Sequence, residues 1–245
     1  MATRLTSVIV DSIDVHAQAR WWSAALGWPI TYEADDEVVV EPEANDDPGA
    51  IPVLEFVAVP EAKSGKNRIH LDLTSQSADD QAAIVERLLA AGAVRADIGQ
   101  GDVPWVVLAD PEGNELCVLE PRERYLGRGP LASIVVDAAD PTATGRFWAE
   151  ASGWSITDET ADGTRLEHPD GKLPELELLR STDERTAKLR IHLDVAPFTD
   201  DPQGPEVDRL VALGAAPADV GQGPDVTWVV LTDPEGNEFC VLSPR

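Results

Sequence analysis

A histidine lies between two charged residues in a short predicted strand, in a pattern that suits proton transfer or metal binding. Arg68, His70 and Asp72 alternate along residues 67–73, so their side chains share one face of a strand. Imidazole exchanges its proton near neutral pH, and a neighbouring carboxylate raises its pKa while a cation lowers it. The segment therefore predicts a polar face on a sheet, with His70 as a candidate general base.

The same pattern occurs twice, because the chain is an internal duplication. Arg190, His192 and Asp194 repeat the alternation, and residues 228–245 match residues 105–122 at 15 of 18 positions. Paired segments are separated by 122 to 126 residues, far more than the roughly 20–50 residue period of solenoids and propellers. We predict two domains, residues 1–122 and 131–245, joined by a linker at residues 123–130.

Each repeat is predicted to contain two β-α-β modules. In the first, Asp14 is suited to begin a helix over residues 15–26 and Gly27 to end it, and a second helix spans 78–91. The turn DPEGNE precedes the last strand of each repeat, with Gly113 and Asn114 as candidates for left-handed geometry. Residues 197–205 are rich in Pro and Gly and are predicted to form a loop. In the first repeat the predicted strands are 7–11, 37–41, 53–59, 67–73, 104–109 and 115–120, with a turn-rich segment at 42–49.

Composition argues against several classes of partner. The 245 residues include 45 acidic and 19 basic side chains, a net charge of −26. Such a chain repels nucleic acid and anionic membranes and attracts cations. It contains no apolar run of the roughly 18–20 residues that a membrane span requires. Its two cysteines, Cys117 and Cys240, occupy equivalent strand positions, so we expect reduced thiols in a cytoplasmic protein.

The quoted motifs together resemble a known family. KNRIHLDL, the DPEGNE turn and the strand EFCVL are similar to the vicinal oxygen chelate superfamily, which includes glyoxalase I, bleomycin-resistance proteins and extradiol dioxygenases. The resemblance covers the whole chain. It implies an α+β fold of two tandem glyoxalase-like domains, each of two βαβββ modules forming a concave mixed sheet with helices outside. It also implies a small-molecule ligand, and a monomer or homodimer.

The resemblance further implies where a metal would bind. Its ligand positions on the first, fourth, fifth and last strands correspond here to Ser7, Glu55, His70 and Cys117, and in the second repeat to Ser133, Glu177, His192 and Cys240. The usual His or Gln of the first strand and Glu of the last strand are therefore replaced. Glu, His and Cys remain a possible zinc set, but a strand cysteine is often only a small buried hydrophobe. We expect no cofactor, with Zn or another divalent metal as the alternative.

Two functions remain open at this stage. One is a metal-independent binding protein of the glyoxalase/bleomycin-resistance type that sequesters a cationic or aromatic compound. The other is a glyoxalase-like lyase, isomerase or dioxygenase that uses a divalent metal on a small oxygenated substrate, with His70, His192, Glu55 and Glu177 as candidate catalytic residues. Trp105 and Trp228 are expected to flank a pocket mouth. The predicted ligand-binding residues are Ser7, Arg68, His70, Asp72, Trp105, Cys117, Ser133, Arg190, His192, Asp194, Trp228 and Cys240.

Overall fold

The computed structural model describes residues 3–42, 52–172, 174–183 and 187–245, which form four modules of similar design. Module 1 contains β1 (Thr3–Ser12), α1 (Val15–Leu26), β2 (Ile30–Glu33), β3 (Glu37–Val40) and β4 (Val53–Ala58). Module 2 contains β5 (Ile69–Leu73), α2 (Ala78–Ala90), β6 (Val94–Arg95), β7 (Val106–Ala109) and β8 (Glu115–Val118). Module 3 contains β9 (Leu131–Ala138), α3 (Pro141–Ser152), β10 (Ser155–Glu159), β11 (Gly163–Glu167) and β12 (Glu175–Arg180). Module 4 contains β13 (Ile191–Pro197), α4 (Gln203–Ala212), β14 (Ala216–Pro217), β15 (Val229–Thr232) and β16 (Glu238–Val241). The predicted α+β fold of tandem βαβββ modules is confirmed.

The modules pair across the repeats to form two eight-stranded sheets. Modules 1 and 4 form the terminal sheet, with the order β14-β15-β16-β13-β1-β4-β3-β2. Modules 2 and 3 form the central sheet, with the order β10-β11-β12-β9-β5-β8-β7-β6. β1 pairs antiparallel with β13, and β5 pairs antiparallel with β9. Each sheet is therefore completed by one module from each repeat, while the division of the chain at residues 123–130 stays a prediction.

One apolar core joins the helices to one face of each sheet. A continuous cluster of buried residues includes members of all four modules, among them Leu5, Leu71, Ile134 and Leu193. Alternation along the strands sends the intervening residues to the opposite, concave face. Those opposite faces carry the candidate site residues.

The DPEGNE turns fix the last two strands of each repeat. Asp110 accepts hydrogen bonds through Oδ1 from the backbone N–H groups of Glu112 and Asn114, both at 2.9 Å. Its Oδ2 accepts from the indole N–H of the buried Trp22 at 3.0 Å. Gly113 has the predicted left-handed conformation, φ 88°, whereas no non-glycine residue of the described chain has positive φ. Asn114, which also tolerates left-handed geometry, does not adopt it, and its side chain donates to Asp110 Oδ2 at 3.0 Å.

Helix ends follow the sequence signals, with one exception. Asp14 caps α1 by accepting from the N–H of Ala17, and Gly27 ends the helix with φ 70°. The prediction of a loop throughout residues 197–205 was wrong, because α4 begins at Gln203. A proline in the first helical turn loses no intrahelical hydrogen bond, so Pro205 is compatible with this start. Of the predicted turn-rich segment at 42–49, residues 43–49 lie outside the described residues.

Candidate ligand-binding sites on the two concave sheets

In the terminal sheet, neighbouring strands bring five side chains into two adjacent rows. Ile9 of β1 is paired with Glu55 on one side and with His192 on the other. One row away, Asp194 is paired with Ser7 and with Cys240. Glu55, His192, Asp194, Ser7 and Cys240 therefore share one concave face, although module 1 and module 4 are far apart in the sequence.

The central sheet repeats this arrangement with the other two modules. Val135 is flanked by Glu177 and His70, and Asp72 is paired with Ser133 and Cys117. The hydroxyl of Ser133 is buried and has no hydrogen-bond partner among the described residues. The two faces thus have the same polar framework.

The structure does not bring together the zinc set expected within one repeat. Glu55 lies in the terminal sheet, whereas His70 and Cys117 lie in the central sheet. The reason is that β4 pairs with β1, and β1 pairs with β13 rather than with β5. The histidine and cysteine of one repeat therefore face the glutamate of the other, and the same correction applies to Glu177 with His192 and Cys240.

Aspartate, rather than glutamate, completes each possible metal group. His70, Asp72 and Cys117 offer one donor atom each, all within 4.8 Å of one another, as do His192, Asp194 and Cys240. His70 Nε2 lies 3.4 Å from Asp72 Oδ1, and the equivalent distance in the terminal sheet is 3.5 Å. These two Oδ1 atoms are buried without a hydrogen-bond partner in the described part of the chain. Each Asp follows its His by two residues on the same strand, so alternation alone predicts that the two side chains are neighbours on one face.

The cysteines are not set up as nucleophiles. Burial is the main reason that the pKa of each thiol, Cys117 and Cys240, is raised far above its usual range, and the adjacent aspartate raises it further. Both are free cysteines. A thiolate nucleophile requires an electropositive setting, which neither concave face provides.

The two histidines titrate differently despite their equal positions. Burial lowers the pKa of His192 to about 4, and Lys188 contributes in the same direction. Burial also acts to lower the pKa of His70, but the adjacent carboxylate of Asp72 outweighs it, so that pKa is raised. In the terminal sheet, burial and the charge of Glu55 raise the pKa of Asp194 to about 8. In the terminal sheet the proton of the pair is thus favoured on the carboxylate of Asp194 rather than on the imidazole of His192.

The central sheet is occupied by the chain itself. A single turn of 3-10 helix, Glu123–Tyr125, lies in the segment predicted as a plain linker. Tyr125 is 1% exposed, and its hydroxyl donates to Glu175 Oε2 at 2.8 Å and lies 3.3 Å from Glu177 Oε1. Arg124 Nη2 donates to Glu177 Oε1 at 2.5 Å.

The ring of Tyr125 completes a small apolar cluster on this concave face. It packs with Val107, Cys117 and Leu119, and Trp105 is half-buried against the same group. We call Arg124 and Tyr125 the internal occupant. Sequence reasoning missed it, and the available signal was a cation and an aromatic side by side in a linker of an otherwise acidic chain.

The terminal sheet has the same framework without such an occupant in its described residues. Val53, two residues before Glu55, occupies the position that Glu175 has in the central sheet, two residues before Glu177. Glu55 has no ion pair within the described chain. Burial, followed by the charge of Glu37, raises the pKa of its carboxyl, and the charge of Arg245 lowers that pKa by less. Trp228, the counterpart of Trp105, is 40% exposed. Among the described residues, Glu55 and Trp228 are therefore more accessible than their counterparts Glu177 and Trp105.

The two arginines expected among the ligand-binding residues lie outside the polar rows. Arg68 precedes β5 and donates from Nε to Asn237 Oδ1 at 2.8 Å. Arg190 precedes β13 and donates from Nη2 to Glu112 at 2.6 Å. Each guanidinium therefore reaches the DPEGNE turn of the other sheet and joins the two sheets.

No helix in the described ranges combines the length and apolar character that crossing a membrane requires. This agrees with the hydropathy pattern of the sequence.

Comparison with known proteins assigns the family. A model for a glyoxalase-like domain matches residues 7–119 and again residues 133–242. The chain belongs to the glyoxalase-like domain family. This places it in the vicinal oxygen chelate superfamily, as its motifs predicted.

Solved structures show the same fold. Glyoxalase I from Zea mays is 14% identical, with a TM-score of 0.66, and the match covers 99% of this chain and 92% of that chain. A putative dioxygenase from Bacillus subtilis subsp. subtilis str. 168 is 13% identical, with a TM-score of 0.62 and coverage of 99% and 86%. No curated protein matches the chain. At these identities the likeness shows the fold alone.

Proposed function

We propose that this glyoxalase-like protein binds a small cationic aromatic molecule on the concave face of the terminal sheet, between Glu55 and Trp228. The observation that carries the proposal is the internal occupant of the central sheet. There a cation and an aromatic ring, Arg124 and Tyr125, cover the equivalent glutamate. The terminal sheet keeps the glutamate and the indole but has no counterpart of the occupant in the described chain.

The internal occupant indicates the chemistry of the ligand. The guanidinium of Arg124 donates to the carboxylate of Glu177, and the phenol of Tyr125 donates to the carboxylate of Glu175. In the terminal sheet Val53 replaces one of those carboxylates, so Glu55 lies beside an apolar residue, and the nearby Glu37 adds to the negative charge. A single cation attached to a ring matches this site. The net charge of −26 favours its approach.

Metal-independent binding can be tested with benzamidine and tyramine as probes. Benzamide, the neutral isostere of benzamidine, controls for aromatic contact without charge. We expect saturable binding of the cations by calorimetry, unchanged after dialysis against EDTA, and weak or no binding of benzamide. A hydrogen bond to a charged group contributes about 1.5–3 kcal/mol, so Glu55→Gln should weaken binding about tenfold or more.

Two further variants decide whether the site is the one proposed. Trp228→Ala should also weaken binding, because stacking on the exposed indole is lost. Glu86→Gln removes an exposed charge on α2 and should leave the affinity unchanged. Failure of both cations to bind, or equal binding by wild type, Glu55→Gln and Trp228→Ala, would rule the proposal out.

A second candidate function is metal binding by the two His-Asp-Cys groups. It is supported by the buried Oδ1 atoms of Asp72 and Asp194, which lack hydrogen-bond partners within the described chain, beside imidazole and thiol donors. Zinc accepts this donor set and leaves a fourth position open. A bound metal would supply Lewis-acid polarisation of a substrate oxygen, which would favour the lyase, isomerase or dioxygenase alternative.

Cobalt provides a direct test of the metal candidate. Co²⁺ added to EDTA-treated protein should produce a thiolate-to-metal absorption band, which His70→Ala combined with His192→Ala should remove. Absence of the band in wild type, together with no stoichiometric metal in the purified protein by elemental analysis, would exclude this candidate. Neither result depends on the benzamidine measurement.

A further inference from the structure

A cavity of about 380 Å³ lies where equivalent segments of the two repeats meet. It is lined by both members of two repeat-related pairs, Lys66 with Lys188 and Arg68 with Arg190. The polar rows of the concave faces do not line it. This central cavity is therefore separate from the proposed site at Glu55.

The charged side chains that line the central cavity are mostly basic, whereas those of the whole chain are mostly acidic. The cavity lining includes two acidic side chains, Asp11 and Glu61, against five basic ones. The chain as a whole has 45 acidic and 19 basic residues, so about a quarter of its cations line one cavity. The five basic residues are Lys63, Lys66, Arg68, Lys188 and Arg190.

The carboxylates that pair with these cations lie mostly outside the cavity lining. Lys63 pairs with Glu115 at 2.8 Å, and Lys66 pairs with Asp137 at 2.7 Å; neither acid lines the cavity. Each lysine ammonium has three donors, and two are used by Lys63 and two by Lys66 in the described structure. One ammonium donor of Lys63 and one of Lys66 therefore remain for an incoming acceptor.

Arg190 has a specific unmet donor. The side chain is 8% exposed, and its Nε lacks an acceptor among the described residues. In the other repeat, Arg68 Nε donates to Asn237 Oδ1. The equivalent oxygen for Arg190, Asn114 Oδ1, accepts instead from the side-chain amide of Asn67 at 3.0 Å.

One sequence difference explains this asymmetry. The residue of the second repeat that corresponds to Asn67 is Leu189, which cannot donate a hydrogen bond and so leaves Asn237 free for Arg68. A buried donor without an acceptor is unfavourable. The lining of the cavity thus has more basic than acidic side chains, each of the basic ones already ion-paired with a carboxylate, and it includes an arginine that lacks one acceptor.

We propose that the central cavity binds a small dianion through carboxylate or phosphate oxygens, with Arg190 and the three lysines as its ligands. Arginine forks and lysine ammonium groups match such oxygens. The volume is within the range of small-ligand sites and exceeds that of a single inorganic ion. The occupant is therefore a small organic dianion, either a phosphate monoester or a dicarboxylate.

The test is calorimetric titration of the full chain with inorganic phosphate and with succinate. Sodium chloride at matched ionic strength is the control, because any salt screens the repulsion within a chain of this charge. Saturable 1:1 binding of either probe is expected, and the stronger probe identifies the class of oxyanion. A response no larger than that to chloride would overturn the proposal.

Three variants locate the binding. Lys188→Gln and Lys63→Gln should each weaken binding about tenfold by removing a charged hydrogen bond. Arg95→Gln removes an exposed cation outside the cavity and should have no effect. Equal affinity in wild type, Lys188→Gln and Lys63→Gln would overturn the site even if an anion binds elsewhere.

A charge-neutral variant separates the specific contact from general attraction. Asn67→Leu copies the second repeat and frees Asn114 Oδ1 to accept from Arg190 Nε. We expect weaker anion binding, by at least about threefold, with every charge in place. Unchanged affinity would show that Arg190 Nε takes no part.

Discussion

The two concave sheets have the same strand order and the same inward Ser, Glu, His, Asp and Cys positions, but Val53 replaces Glu175 in the terminal sheet and the two faces differ in accessibility. In the central sheet the face is closed by Arg124 and Tyr125. In the terminal sheet the matched glutamate has no ion pair among described residues, and the matched tryptophan is 40% exposed. One turn of 3-10 helix in the linker therefore covers one copy of the duplicated framework, and the other copy is the one for which we propose a ligand.

Removing the ring of the internal occupant should have the largest effect. Tyr125→Ala deletes a fully buried aromatic side chain and leaves Glu175, which is 1% exposed, without its hydroxyl donor. Truncation of a buried aromatic residue costs about 3–5 kcal/mol of unfolding free energy. Urea denaturation measures this cost. Tyr32→Ala, at a site that is 52% exposed, is the control and should differ from wild type by less than about 0.5 kcal/mol.

Removing only the hydroxyl should have an intermediate effect. Tyr125→Phe keeps the ring in its apolar cluster but leaves the carboxylate of Glu175 with one hydrogen bond fewer. Loss of a hydrogen bond to a charged group costs about 1.5–3 kcal/mol. If Tyr125→Phe proved as stable as wild type by urea denaturation, the hydrogen bond from Tyr125 to Glu175 would not contribute to the closure of the central sheet.

The two tryptophans should respond unequally to the same change. Trp105→Ala removes an indole packed beside Tyr125 and should cost about 1–2 kcal/mol, because part of the area of a buried side chain is exposed. Trp228→Ala removes an indole that is 40% exposed and should cost less. Thermal unfolding of the two variants side by side measures the difference. Equal costs would mean that the terminal sheet is as closed as the central sheet.

The smallest expected effect is a pH dependence at Glu55. Burial, followed by the charge of Glu37, raises the pKa of this carboxyl above its value in the unfolded chain. Folding therefore favours the protonated form, and this contribution is fully present below the unfolded pKa and is lost as pH rises through the folded pKa. Glu55→Gln should be more stable relative to wild type at pH 7 than at pH 4, by urea denaturation. Glu86→Gln, at an exposed position, should show no such trend.

Much of the site was predictable from local pattern. Strand alternation placed His70 beside Asp72 and placed Cys117 on an inward face, because side chains in a strand alternate with a period of two. Helix caps such as Asp14 and Gly27 followed from backbone chemistry within one turn. Each of these features depends on residues close together in the chain.

The sequence alone therefore determined the duplication, the four modules and the residues that each strand presents inward. Only the tertiary structure decided that Glu55 faces His192 and that Glu177 faces His70. The physical reason is that β5 and β13 are nearly identical in sequence, so the local pattern cannot predict which of the two pairs with β1. The choice depends on packing between distant modules, and the same packing brings Tyr125 from the linker onto the central sheet.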